Sequence, residues 1–286
     1  MADVSTAFVK QFGSSIMHLV QQKGSRLRGC VMVKPGVTGE ETFMDQIASA
    51  TAKKKTTRNS DTPIIKASYS RRMITLFDHE FADLHDEQDQ LKMLLDPTSA
   101  IAQNGMWALG RSMDQEIIDA ATGTAKTDKT GSTSTTLPSA QKVTVASAGL
   151  TLAKLLAAKE ILDAGEVDEE EERYCVLTAG QVTDLLNTTE VKSADYNSVK
   201  ALAAGQIDTF LGFKFKRTQL LNTDSNGDRQ VLCFGKSGIG LAIAQDIKTR
   251  ITERADKSYT TQVYLSLGMG ASRLEEARVV EVACDE

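Results

Sequence analysis

The sequence has few of the residues that catalytic and metal sites most often use. It contains three histidines and four cysteines among 286 residues. The cysteines, Cys30, Cys175, Cys233 and Cys284, are far apart and lack the Cys-x-x-Cys spacing of zinc and redox sites, so we expect small buried thiols in a reducing cytosol. No Gly-x-Ser-x-Gly sequence holds a serine nucleophile. These absences argue against an enzyme, a metal site and a bound cofactor.

Long apolar runs are also missing. No stretch approaches the ~18 residues needed to cross a bilayer, and no signal-peptide apolar region opens the chain. We therefore expect no membrane partner and synthesis on the cytoplasmic side. The hydrophobic content of 41% is ordinary for a globular protein, and 286 residues suffice for one large domain or two modest ones.

Charge is plentiful but unevenly placed. Residues 1–75 carry 12 Lys/Arg against 5 Asp/Glu, whereas residues 76–286 carry 21 against 33, although the whole chain has a net charge of −5. Such asymmetry is typical of a tail, a nucleic-acid surface or self-complementary contacts. The densest basic run is KKKTTR at 53–58, which contributes Lys53, Lys54, Lys55 and Arg58.

Aromatic residues are absent between positions 50 and 63, around this basic run. Single-stranded nucleic acid is usually bound by aromatic stacking platforms interleaved with basic residues, and none is present here. The acidic remainder of the chain would repel the phosphates of a duplex. A basic projection that reaches the acidic body of another copy accounts for both halves of the charge pattern.

Hydrophobic periodicity predicts an N-terminal half built around one long helix. An amphipathic arm at 1–27 precedes two strand-like runs, 29–34 and 63–77, which indicate a long two-stranded projection with the basic run at its tip. The helix covers about 97–122, and residues 124–140 are Thr/Ser/Gly-rich and predict a loop. The sequence also marks both ends of this helix. Asp96 is the predicted N-cap, Pro97 takes the first helical position, and Gly123 is predicted to form a left-handed C-terminal turn.

The remaining chain reads as an α/β region followed by strands. The predicted helices are 151–165, 179–187 and 237–244, and the predicted strands are 173–179, 211–221, 229–235, 246–255 and 260–283.

Two motifs with a superficial likeness to functional sites favour structural interpretations. FGKSGIG at 234–240 ends like a phosphate-binding loop, but Gln230 stands where that loop needs a glycine, so we expect a turn that opens a helix. FDHEFADLHDEQD at 77–89 approaches a zinc-protease helix, but His79 and His85 would point to different sides of a helix. A solvated acidic helix is the simpler prediction for this segment.

GEVDEEEER at 165–173 concentrates carboxylates without the spacing of a calcium loop. We expect a solvated loop that could still meet a basic partner.

The order of elements resembles the major capsid protein of tailed bacteriophages. Residues 71–123 are similar to the family's passage from the extended E-loop into the spine helix. Residues 197–221 resemble the loop and strand of its A (axial) domain, although Lys214 stands where many relatives have proline two residues after Gly212. Residues 235–282 are similar to the closing pattern in which strands return to the P (peripheral) domain.

The resemblance implies an α+β fold of the tailed-phage major-capsid type, with an N-arm, an E-loop hairpin, a P domain with a long spine helix, and an α/β A domain. The implied bounds are 1–28 for the N-arm, 29–77 for the E-loop, 78–145 for the P domain with its spine helix at about 97–122, 146–243 for the A domain, and 244–286 for the strands returning to the P domain.

The implied function is self-assembly into hexamers and pentamers that form an icosahedral head shell around packaged double-stranded DNA. The implied partners are further copies of the chain, a separate scaffolding protein, a portal protein and, in some relatives, decoration proteins; the DNA would be enclosed without sequence-specific binding. Such a protein is assembled in the cytoplasm of the bacterial host and ends in the virion head. An encapsulin-like bacterial shell, which shares the fold, and a basic-arm nucleic-acid-binding protein are the alternatives.

Charge complementarity leads to a hypothesis for the subunit interface. Lys53, Lys54, Lys55 and Arg58 at the E-loop tip would contact carboxylates of an adjacent subunit. The candidate carboxylates are Asp83, Asp86, Glu87 and Asp89. Arg71 and Arg72, nearer the base of the projection, are better candidates for ordered ion pairs. The plainer alternative is that the basic run keeps an exposed loop soluble.

Overall fold

A computed structural model describes four stretches of the chain. They are residues 18–59, 61–85, 98–187 and 209–286. The chain divides into two compact units. The smaller unit comprises Met1–Ser25, Asp78–Ser112 and Asp246–Leu267, and the larger comprises Arg26–Phe77, Met113–Gln245 and Gly268–Glu286.

The described residues form three α-helices and fourteen strands. The helices are α1 (Thr98–Thr122), α2 (Leu152–Ala164) and α3 (Ala179–Asn187). The strands are β1 (Met32–Pro35), β2 (Glu41–Ile47), β3 (Tyr69–Thr75), β4 (Phe77–His85), β5 (Ala125–Thr127), β6 (Thr133–Thr135), β7 (Lys142–Val143), β8 (Arg173–Leu177), β9 (Thr209–Phe210), β10 (Phe213–Arg217), β11 (Arg229–Gly235), β12 (Ile239–Arg254), β13 (Thr260–Arg273) and β14 (Val279–Cys284). Within these residues, no helix combines the length and apolar character of a membrane span.

The main core of the larger unit lies against a six-stranded sheet with the order β7-β14-β11-β8-β10-β9. Leu155 and Leu162 of α2 are fully buried with Phe213 and Val231 of the sheet. The thiols of all four cysteines are free and buried, as expected from the sequence. The predicted helices at 151–165 and 179–187 and the strands between 173 and 235 are confirmed, because their apolar spacing matches the elements that form.

The predicted helix at 237–244 is wrong. A short 3₁₀ turn covers Lys236–Gly238, and β12 begins at Ile239. Residues 239–243 are all buried, because β1 pairs with this part of β12 in parallel, Met32 opposite Gly240. A short apolar run buried on both faces cannot be distinguished from a helix by periodicity alone.

The projection uses a different first strand from the predicted one. A four-stranded sheet has the order β2-β3-β5-β6, so β3 pairs with β2 at 41–47 and not with the run at 29–34. Two of the three inward residues of β2, Thr42 and Gln46, are polar, which concealed the strand in the sequence. Thr42 accepts a hydrogen bond from Lys34 Nζ at 2.9 Å, and Gln46 Nε2 donates to the Leu274 carbonyl at 2.9 Å.

The segment 124–140, predicted as a loop, contributes β5 and β6 to the same sheet. These strands have three residues each, and a serine- and threonine-rich composition does not reveal pairing of that length. The sheet therefore has four strands where the sequence predicted a two-stranded ribbon.

The long helix is confirmed, with α1 spanning Thr98–Thr122. Asp96 and Pro97 lie outside the described residues. Gly123 does not adopt the predicted left-handed conformation. In the larger unit, the carbonyls at this helix end are satisfied instead by Arg273, whose Nη1 donates to Ala121 and Gly123 at 2.9 and 2.7 Å.

The segment predicted as an acidic helix is an extended strand for the residues described, β4 (Phe77–His85). His79 and Phe81 are half-buried whereas Asp78 and Glu80 are exposed, which is the two-residue period of a strand. An added Cβ on Gly105 of α1 would lie 2.6 Å from the Phe81 ring, so strand and helix pack closely within the smaller unit.

His79 and His85 lie on the same face of β4, because an even separation on a strand preserves the side. The sequence argument that separated them therefore fails. Among the residues that the structure describes, no group of three or more His, Cys, Asp or Glu side chains is arranged to hold a metal ion.

Candidate assembly surface

A long exposed loop connects β2 to β3. Residues 48–68, here named the exposed loop, contain no helix or strand where they are described. Every described residue from Ile47 to Lys66 is exposed to solvent. The loop is closed at its base by a hydrogen bond from the Ala48 amide to the Ser68 carbonyl, at 2.9 Å. The described part of the chain therefore covers little of this loop.

Four basic side chains of the predicted interface lie in the exposed loop. Lys53, Lys54, Lys55 and Arg58 are all exposed, and none has an ion pair with any residue that the structure describes. Their placement on a projecting loop agrees with the hypothesis. Their contact with another subunit stays a prediction.

The exposed loop and its flanking strands also carry exposed apolar side chains, of which the sequence reasoning assigned Ile64 and Tyr69 to a strand. Ile64 is 84% exposed. Ile47 and Tyr69 face each other directly in the β2–β3 register and are 63% and 79% exposed. Exposed apolar side chains on one projection are unfavourable in water, so covering them with a partner surface would stabilise an assembly.

Arg71 and Arg72 form ion pairs with carboxylates of their own chain. Arg71 Nε lies 2.9 Å from the Asp45 carboxylate, and its guanidinium is 5.1 Å from the centre of the Phe43 ring. Arg72 is buried, donates to the Leu274 carbonyl at 2.8 Å and pairs with Glu276 at 2.6 Å. Arg72 therefore holds the base of the hairpin within its own chain, and a role at an interface stays a prediction for both.

The acidic candidates are only partly described. Asp83 is an exposed residue of β4, and its carboxylate accepts a hydrogen bond from the Leu84 amide at 2.9 Å. Asp86, Glu87 and Asp89 lie outside the described residues.

The acidic segment 165–173 is less solvated than predicted. Glu172 pairs with Lys214 and accepts a hydrogen bond from the Tyr174 hydroxyl at 2.7 Å. The hydrogen bond from Lys214, reinforced by that from Tyr174, lowers the pKa of Glu172 to about 2. Exposed carboxylates remain at Glu166, Asp168, Glu169 and Glu170.

The turn that resembled a phosphate loop binds a carboxylate of its own chain. The amide and hydroxyl of Ser237 both donate to Glu171 Oε1, at 2.6 Å. Arg278 Nη1 donates to the other oxygen of Glu171 at 2.5 Å. The donors are thus occupied by an internal partner, which supports the structural interpretation of FGKSGIG.

Comparison with known proteins identifies the family. A model of the family described as phage capsid protein matches residues 4–286. The chain belongs to the phage capsid protein family. No curated protein sequence matches it significantly. The family match favours the phage capsid over the encapsulin-like shell and the nucleic-acid-binding protein, and implies a structural role in the shell and not a catalytic one.

Solved phage capsids share the fold of this capsid protein. The capsid of Cyanophage P-SCSP1u matches with a TM-score of 0.77 and 18% identity, covering 100% of this chain and 95% of that one. The capsid of the native GTA particle matches with a TM-score of 0.72 and 12% identity over 100% and 98%. A Mycobacterium phage Che8 structure matches with a TM-score of 0.70 and 15% identity over 96% and 97%. The α+β capsid fold predicted from the order of elements is confirmed.

Proposed function

We propose that this capsid protein is the major subunit of a tailed-phage head, assembled from hexamers and pentamers into an icosahedral shell around double-stranded DNA. The main support for this proposal is the exposed loop. It presents basic and apolar side chains that the described part of the chain leaves uncovered. We assign the E-loop to the hairpin of β2 and β3 with the exposed loop between them. Its proposed extent is therefore 41–75 and not 29–77, because Met32–Pro35 pairs with β12 in another sheet.

The physical basis is repeated heterologous contact. A closed shell needs two different complementary surfaces on each subunit, because a self-matching patch alone stops at a dimer. The exposed loop supplies one basic surface, and the carboxylates around Asp83 supply an acidic one. An exposed ion pair contributes only about 0.2–1 kcal/mol, whereas burying a side chain such as Ile64 contributes about 1.5–3 kcal/mol. Apolar contact would therefore provide most of the affinity, and charge would provide its orientation.

The other proposed partners follow from this function. Assembly would take place in the host cytoplasm with a scaffolding protein, a portal protein and, where the shell needs reinforcement, decoration proteins. DNA would be enclosed without sequence-specific contacts, which suits a body that is acidic beyond residue 75.

Reversing the basic run is expected to block or weaken shell formation. The variant carries Lys53→Glu, Lys54→Glu, Lys55→Glu and Arg58→Glu. Its thermal midpoint should match that of the parent, because these side chains are exposed and outside any ion pair of the described chain. Sedimentation velocity and electron microscopy would measure the assembled fraction.

A two-charge version has a matched control on another exposed hairpin. Lys54→Glu with Lys55→Glu should reduce assembly, whereas Lys126→Glu with Lys129→Glu should leave it less affected, because both pairs are exposed but only the first lies in the exposed loop. Normal shells from the four-charge variant would refute the role of the basic run.

A further inference from the structure

Within the smaller unit, a sheet has two edges that no described strand covers. The strand order there is β12-β13-β4, with β12 and β4 on opposite sides of β13. The only strand paired on the far side of β12 among the described residues is β1, and it reaches no further than Ile243. No described strand pairs with β12 beyond that residue, and none pairs with the outer side of β4.

The two edges have opposite net charge, although β12 also exposes Asp246 beside its basic residues. Lys248 and Arg250 are exposed on β12, and Asp78 and Glu80 are exposed on β4. Each pair is two residues apart, so its members lie on one face of their strand. Neither Lys248 nor Asp78 has an ion-pair partner among the residues that the structure describes.

Arg250 of β12 and Glu80 of β4 both act on one residue of the strand between them, Tyr264 of β13. A hydrogen bond to Glu80 is the main cause that raises the pKa of the Tyr264 hydroxyl, and the positive charge of Arg250 acts in the opposite direction. Tyr264 is therefore influenced by a carboxylate from the β4 strand and by a guanidinium from the β12 strand.

Each edge strand also exposes an apolar side chain. Ile251 of β12 is 53% exposed, and Leu84 of β4 is 47% exposed. An edge strand with unpaired backbone groups is a template for pairing with another chain. Charges on such an edge decide which partner is accepted, because like charges placed opposite each other are repelled.

We propose that the β4 edge of one subunit docks against the β12 edge of a second copy, with Asp78 and Glu80 facing Lys248 and Arg250. This docking rests on the proposed self-assembly and specifies one of its contacts. Because the two edges differ, the contact is heterologous and can repeat from subunit to subunit around a ring. Pairing of two β12 edges or of two β4 edges is opposed by like charge.

Three variants test the docking. The first reverses the β12 edge with Lys248→Glu and Arg250→Glu, and the second reverses the β4 edge with Asp78→Lys and Glu80→Lys. The third carries all four changes. Each single-edge variant should form about tenfold fewer rings or shells than the parent, since both its edges then have the same sign. The third variant should recover assembly, because its edges are again opposite. Thermal melting identifies any variant that fails to fold.

Mixing the two single-edge variants gives an independent measurement. One has two acidic edges and the other two basic edges, so they should associate with each other in alternation. An alternating ring needs an even number of subunits, so six-membered rings are expected and five-membered rings are not. Native mass spectrometry of the rings would count the subunits and their order.

The outcomes separate the two proposals. If the parent and both single-edge variants form rings equally well, the docking is wrong and the proposed function stands. If the folded four-change variant fails to assemble and the mixture does not associate, the docking is also wrong. If the parent itself remains monomeric, the proposed function and the docking fail together.

Discussion

Replacing Arg273 with Met is expected to lower the free energy of unfolding by about 3–5 kcal/mol. The Arg273 side chain is completely buried. Its Nη1 donates to the carbonyls of Ala121 and Gly123, and its Nη2 donates to the Thr135 carbonyl at 2.9 Å. Methionine fills similar volume but leaves these carbonyls without a donor, and Glu276 loses one of its two arginine partners.

Chemical denaturation of the unassembled subunit would measure this loss. Arg254→Met is a matched control, because Arg254 is also a paired arginine, 2.6 Å from Asp256, but its side chain is 43% exposed. The control should cost far less, because water screens an ion pair between exposed side chains. Equal stability losses in the two variants would contradict the central role given to Arg273.

The second large effect is expected from Gly270→Ala. An added Cβ at this position would lie 2.0 Å from the carbonyl oxygen of Thr75 and 2.9 Å from its carbonyl carbon. Both are backbone atoms of β3, so no side-chain rotation can remove the clash. We expect a loss of about 3 kcal/mol or more, seen as a low soluble yield and an early denaturation midpoint.

Gly29→Ala is the control variant for Gly270→Ala. An added Cβ at Gly29 would meet no atom within 4 Å, and its backbone angle is one that alanine adopts. The change should alter stability by no more than about 0.5 kcal/mol. A Gly270→Ala protein as stable as Gly29→Ala would show that β13 and β3 are less closely packed than described.

The sequence predicted the three described helices, because the spacing of their apolar residues and the residues at their ends are visible within each segment. The period of α1 is visible over 25 residues, and α2 and α3 are bounded by turn residues on either side. The secondary-structure prediction was wrong where a segment's conformation depends on pairing with residues far away in the sequence. The run after Ile239 is a strand because it lies beside β1, whose partner residues are some two hundred positions earlier in the chain.

The sequence predicted part of the candidate assembly surface and missed the rest. The position of the basic run on a projection follows from charge and composition, since a run of lysines is seldom buried. The exposed apolar residues were missed, because Ile64 and Ile65 look like the interior of a strand. Arg273 gave no signal at all, as its carbonyl partners are at least 138 residues away in the sequence.

The central claim is that this capsid protein assembles with itself into a shell. Its most direct test is sedimentation velocity with electron microscopy, on the purified chain expressed alone and then together with the products of its neighbouring open reading frames. We expect closed shells, or capsomer rings of five or six subunits. A persistent monomer or dimer in both preparations would contradict the claim.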